Sequence, residues 1–126
     1  MWFRYIDDIF FIWTHGGEKL TQFFQNHCNT SDPHIKFKQM TSTKDIPFLD
    51  VHVINDNGKI ITDLNKKPTY TQQYLNWTSC HPRHTKISIP YSLTLRLRRI
   101  CSNDQFLRKE HVSYRMYCLK VVTRIS

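Results

Sequence analysis

The chain contains no alanine, only three glycines and five prolines, and no apolar run near the roughly 18 residues a membrane helix needs. Without alanine there is no typical small-residue cleavage site. No basic segment precedes an apolar stretch at the start either, so a signal peptide is not expected. The four cysteines, Cys28, Cys80, Cys101 and Cys118, are widely separated and form no Cys-x-x-Cys pair. That spacing argues against a disulfide framework or a redox motif and for a reduced, intracellular chain. Acids are scarce at the end: residues 81–126 hold ten Lys and Arg against two Asp and Glu, whereas residues 1–50 hold five against six. The whole net charge of +8 therefore belongs to the last third.

What is present suffices for a core. At 126 residues, 40% hydrophobic and 22% charged, the sequence is long and apolar enough to fold as a globular domain. A neutral, aromatic first half beside a basic last third suggests a surface facing a polyanion, most often nucleic acid; a solvated helical face is the plain alternative.

Local patterning sets the elements. Trp2 to Trp13 places β-branched and aromatic residues on both sides of Asp7-Asp8, which predicts strand, tight turn, strand with two carboxylates at or beside the turn. No glycine supports that turn, although such turns normally demand positive φ. Leu20, Phe23, Phe24, His27 and Cys28 share one face of a helix that stops before the turn cluster Asn29 to Pro33. His34 to Met40 alternates like a half-buried strand. Ile46 to Ile54 reads as strand, and Asn57-Gly58 is a strong hairpin signal with Lys59 to Leu64 returning. Lys66 to Pro82 is expected to be an irregular connector.

Ser88 to Ser102 fits either period, since Leu93, Leu95 and Leu97 alternate while Ile89, Leu93, Leu97 and Ile100 fall on one helical face. Ser88 as a cap, with Pro90 near the first turn, favours the helix. Leu107, His111, Tyr114, Cys118, Val121 and Ile125 form a last helical stripe, with Arg108, Arg115 and Arg124 away from it. The two helices meet at a turn near Ser102 to Asp104, an outline shared with helix-turn-helix units.

Candidate chemistry follows from these placements. Two carboxylates on a hydrophobic hairpin suit two-metal phosphoryl transfer, in which Mg²⁺ takes hard oxygen ligands. Cys80, His81 and His84 with Cys101 lack zinc-site spacing. His111 is expected to be a satisfied interface histidine. Phe10, Phe11, Phe23 and Phe24 are expected in a core, not in a base-stacking platform.

The segment Arg4-Tyr5-Ile6-Asp7-Asp8-Ile9-Phe10 resembles the Tyr-x-Asp-Asp box of reverse transcriptases. Phe48 to Val53, Lys67-Pro68-Thr69, Gln73-Tyr74-Leu75, Ser79 to Pro82, Ser88 to Ser92 and Leu95 to Ser102 resemble, in order, the reverse transcriptase of Penelope-like retroelements. The resemblance implies an α+β fold: a partial polymerase palm (acidic hairpin, helix, strand, primer-grip hairpin) over residues 1–65, then a connector and basic helical thumb over 66–126.

The same resemblance implies an RNA-directed DNA polymerase fragment of a retrotransposon, with RNA template, DNA primer and deoxynucleotide as partners. Asp7 and Asp8 would hold Mg²⁺, and Tyr5 would line the site. Phe48, Leu49 and Asp50 would lie against the primer end, and Lys67, Arg96, Arg98 and Arg99 against phosphates. A third carboxylate and the fingers are expected upstream, so the chain alone is expected to be inactive. Its location is expected to be nuclear, without membrane attachment. From the residues alone, two alternatives stand: a basic helix-turn-helix-like nucleic-acid-binding module, or a non-functional retroelement remnant.

Overall fold

The structure, a computed structural model, describes residues 1–30, 32, 34–71, 74, 75 and 78–122, without the side chains of 113 and 115–122. The chain divides into two compact units, Met1–Ser42 and Thr43–Ser126. The change of composition near residue 65 lies inside the second unit.

In the first unit, strands β1 (Trp2–Tyr5) and β2 (Asp8–Phe11) form an antiparallel hairpin in which Tyr5 faces Asp8. The two-residue turn is Ile6-Asp7, with Ile6 at φ 50°. That left-handed backbone is unfavourable for a β-branched residue. The Arg4 side chain braces the turn, its Nε donating to the Ile6 carbonyl at 3.1 Å. Helix α1 (Gly17–Phe23) runs on as a π-helical turn, Phe24–Cys28. Aromatic rings tie these pieces together: Phe11 stacks on Trp2 at 5.2 Å and on Phe24 at 6.4 Å, and Trp13 meets Phe23 at 5.5 Å.

The strand expected over His34 to Met40 is not formed. Alternation alone does not make a strand; a ladder partner must supply the backbone hydrogen bonds. Here side chains take the amides, Asp32 accepting from His34 N and Asn29 from Phe37 N, both at 2.8 Å.

The second unit starts with a three-stranded antiparallel meander of β3 (Asp45–Phe48), β4 (Val51–Asp56) and β5 (Lys59–Leu64). The expected strand from Ile46 to Ile54 is thus two strands. Leu49 at φ 52° and Asp50 make a two-residue turn between paired Phe48 and Val51. Asn65 clamps that turn, its Nδ2 donating to Leu49 O and its backbone N to Asp50 O, both at 2.8 Å. At the other end Asn57 (φ 51°) and Gly58 (φ 89°) take the positive angles that this dipeptide accommodates at little cost.

Helices α2 (Arg83–Ile100) and α3 (Asp104–Val122) complete the unit. Helix α2 begins five residues before Ser88, with Pro82 as its flanking residue, and Ser88 Oγ donates instead to Thr85 O at 2.8 Å. Pro90 therefore sits inside the helix, where its missing N–H removes one backbone bond. Tertiary packing compensates: Leu93 and Leu97 of α2 join Leu64, Cys101 and Tyr114 in the core, and Leu97 is only 1% exposed. Leu107 and Phe106 pack at its margin.

The buried stripe of α3 is rotated from the expected one. Glu110 and Tyr114 are buried, while His111 is exposed, so His111 is not an interface residue within this unit. Glu110 can turn inward because Lys66, just after β5, supplies an ammonium partner. Of the expected stripe, the side chains of Cys118 and Val121, like Ile125, Arg115 and Arg124 beyond it, lie outside what is described.

Candidate nucleic-acid interface

The helix-turn-helix is built by short-range capping. Cys101 leaves the helical region (φ −79°, ψ 122°) and stops α2, while its N–H still donates to Leu97 O at 2.8 Å. Asn103 then caps α3, its side-chain oxygen accepting from Gln105 N at 3.0 Å and its carbonyl from Leu107 N at 3.1 Å. The connecting turn is Cys101-Ser102-Asn103, close to the expected Ser102 to Asp104. Asp104 in the first turn of α3 favours the positive end of that helix's dipole.

The sheet holds this turn from outside. Thr62 N donates to Ser102 Oγ at 2.8 Å, Ser102 N donates to Thr62 O at 3.0 Å, and Thr62 Oγ1 donates to Ile100 O at 2.6 Å. Beside them the Cys101 thiol lies 3.5 Å from Asp63 Oδ1; burial first, and this carboxylate second, raise the thiol pKa to about 11. Behind α3, Tyr74 packs edge-on against Tyr114 at 6.4 Å and hydrogen-bonds Tyr70. Burial, then the bond to Tyr70, raise the Tyr114 hydroxyl to about 12, and burial pushes Tyr74 higher still.

The electrostatics are one-sided. Of the two acids after residue 80, Glu110 is buried against Lys66, which leaves Asp104 as the exposed one. Arg83, Arg98, Arg99, Arg108 and Lys109 are all exposed, and among the described residues none of them is in an ion pair. The last two of α2, Arg98 and Arg99, also suit that helix's negative end. Arg96 differs from them: it is half-buried, and its Nη2 lies 2.8 Å from Asp50 Oδ2, so its charge already has a carboxylate partner. These two residues, with Leu49, Lys66, Lys67 and Tyr70, are among those lining an open cleft of about 290 Å³ between the β3–β4 turn and α2.

The remaining residues singled out in the sequence are placed as follows. Asp7 is the second residue of the β1–β2 turn and Asp8 the first of β2; both are exposed, as is Tyr5. Phe48 ends β3, with Leu49 and Asp50 in the next turn. Lys67 is exposed in the connector. Cys80, His81 and His84 are exposed and Cys101 is buried. Among the described residues no group of three or more His, Cys, Asp and Glu side chains is arranged to hold a metal.

Thr62, Lys66, Ser102 and Glu110 were not among the sequence candidates. Glu110 was detectable, as an acid at the i+3 position between Leu107 and Tyr114 on an otherwise apolar face. Thr62 carried no sequence signal, because its partners lie 38 and 40 positions away.

Residues 73–119 match the family model of the animal helix-turn-helix domain, well under half of the chain. No curated protein and no solved structure matches it. The resemblance to the reverse transcriptase of Penelope-like elements is overturned, since no reverse-transcriptase family model matches. The strings that carried it were three to eight residues long, and those from Gln73 to Ser102 fall inside the helix-turn-helix match. The Asp7-Asp8 pair sits at a turn whose shape Arg4 and the β1–β2 pairing account for without any polymerase fold. Among the described residues no helix is long and apolar enough to cross a membrane.

Proposed function

We propose that the chain is a nucleic-acid-binding module that lays the outward face of α3, with the end of α2, against a duplex. The observation that carries it is the exposure of Arg98, Arg99, Arg108 and Lys109 around a turn that has a single exposed acid, Asp104. Exposed cations without a carboxylate partner attract phosphates and release counterions from them, a contribution that does not depend on base sequence. B-form DNA is the preferred duplex, because its major groove admits an α-helix while that of RNA is too narrow. The animal helix-turn-helix match supports the same surface, since the second helix of such a unit is the one that enters the groove. A nuclear location is part of this proposal.

The test is a titration of a mixed-sequence DNA duplex at several salt concentrations, followed by fluorescence anisotropy. Log affinity is expected to fall linearly with log salt, by about 0.9 per neutralised phosphate, and Arg108→Ala with Lys109→Ala to make that slope shallower by about two. Absence of binding at low salt, or a double variant with the wild-type slope, overturns the proposal.

A further inference from the structure

We propose that Thr62, on the outer edge of β5, is a positioning residue for α3, and that the binding module therefore extends upstream of residues 73–119 into the sheet. This inference rests on the proposed nucleic-acid function. Its basis is a reciprocal satisfaction of groups that would otherwise lack partners. Ile100 is the last residue of α2, so its carbonyl has no acceptor role inside the helix, and the Thr62 hydroxyl fills it at 2.6 Å. Strand β5 is an edge of its sheet, and an edge residue presents backbone N–H and C=O to solvent. At Thr62 both are used by Ser102, at 2.8 Å and 3.0 Å.

One residue of the sheet thus holds the turn on both sides of Cys101, and α3 starts two residues after Ser102. A rigid support matters here because phosphate contacts from Arg108 and Lys109 demand that the helix arrive in register. The Lys66–Glu110 pair grips α3 six residues further on. Together the two contacts prevent the first turns of α3 from pivoting, and Thr62 holds the end nearest the proposed interface. Thr62 itself is not part of the binding face.

The experiment uses the full chain with Thr62→Val, which exchanges the hydroxyl for a methyl of similar size, and Thr62→Ser, which keeps it. Two measurements are made on each: duplex affinity, and amide hydrogen exchange at Ser102 and Leu107 compared with the β4–β5 ladder. For Thr62→Val, Kd is expected to rise about fivefold to tenfold, the effect of one hydrogen bond. Exchange at Ser102 and Leu107 should quicken while the ladder stays protected, and Thr62→Ser should restore both. Ser102→Ala, at an exposed position, is the second variant should Thr62→Val fold poorly; it is expected to weaken binding in the same direction.

Unchanged exchange, or faster exchange with unchanged affinity, overturns the positioning role. Weakened binding that serine does not restore overturns it as well. A wild-type chain that binds no duplex overturns the nucleic-acid function alone, and the exchange data then decide separately whether Thr62 holds the turn.

Discussion

The two units use their apolar residues very differently. Met1–Ser42 contains two tryptophans and a run of phenylalanines, yet among its described residues only Leu20 is buried, and Trp2, Phe3 and Tyr5 are more than half exposed. Thr43–Ser126 has fewer aromatics and buries Leu64, Leu93, Leu97, Cys101 and Tyr114 together. The lesson is that apolar content does not make a core; two layers that present apolar faces to each other do. A single hairpin with one short helix offers few such faces, whereas β5 against α2 and α3 offers several.

The same contrast recurs in the turns. Ile6-Asp7 and Leu49-Asp50 both hold a bulky residue at positive φ, but the first has Arg4 beside it, and the second has Asn65 on both carbonyls and Arg96 on Asp50.

The largest effect should come from the second unit's core. Leu97→Ala is expected to cost about 3–5 kcal/mol in a urea melt, because the side chain is fully enclosed. Phe11→Ala, which removes a half-buried ring stacked on Trp2 and Phe24, should cost only about 1 kcal/mol. Equal losses would break the contrast between the units.

A smaller effect should appear in alkali, in the second unit. Cys101 and Tyr114 are acids whose folded-state pKa values, about 11 and about 12, lie above the ordinary 9.0 and 10.0. Their neutral forms therefore favour the folded state. Their contribution is complete below pH 9.0 and is lost as pH climbs toward 11 to 12. Denaturant melts across that range, read on the α2–α3 helical signal, should show stability falling with pH; Cys101→Ala should flatten the earlier part of the fall. A flat profile in the wild type would contradict the burial of these groups.

The smallest effects test the turns. Glycine relieves the left-handed backbone at Ile6 or Leu49 but adds freedom to the unfolded chain, so each substitution should change stability by at most about 1 kcal/mol. Ile6→Gly should be the more stabilising of the two, since the β-branched side chain is the worse fit. Chemical denaturation of the two variants side by side decides it.

Much of the local structure was legible. Asn57-Gly58 marked its hairpin, the flanks of Asp7-Asp8 marked β1 and β2, and the apolar period of Leu93, Leu97 and Ile100 marked α2. These depend on backbone preferences within a few residues. Three misses were set at a distance. His34 to Met40 alternates correctly but has no strand to pair with. Helix α2 extends back to Arg83 past Ser88, and tolerates Pro90, because its far end is anchored in the core. His111 lost its place on the buried face to Glu110 because Lys66 lies on the other side. The acidic hairpin shows the opposite hazard: a short string resembled a family whose model the chain does not match.

From the residues alone follow the Asn57-Gly58 turn, the presence of the acidic hairpin and of the helices, the turn joining α2 to α3 and the concentration of positive charge in the last third, since each depends on composition or near neighbours. Only the tertiary structure determined which cations stay exposed and which are paired, as Arg96 is with Asp50 and Lys66 with Glu110. It also brought Thr62 to a turn 38 to 40 residues away. Such pairings are chosen by the packing of whole elements, because a buried charge or an open backbone group must find its partner wherever the fold supplies one.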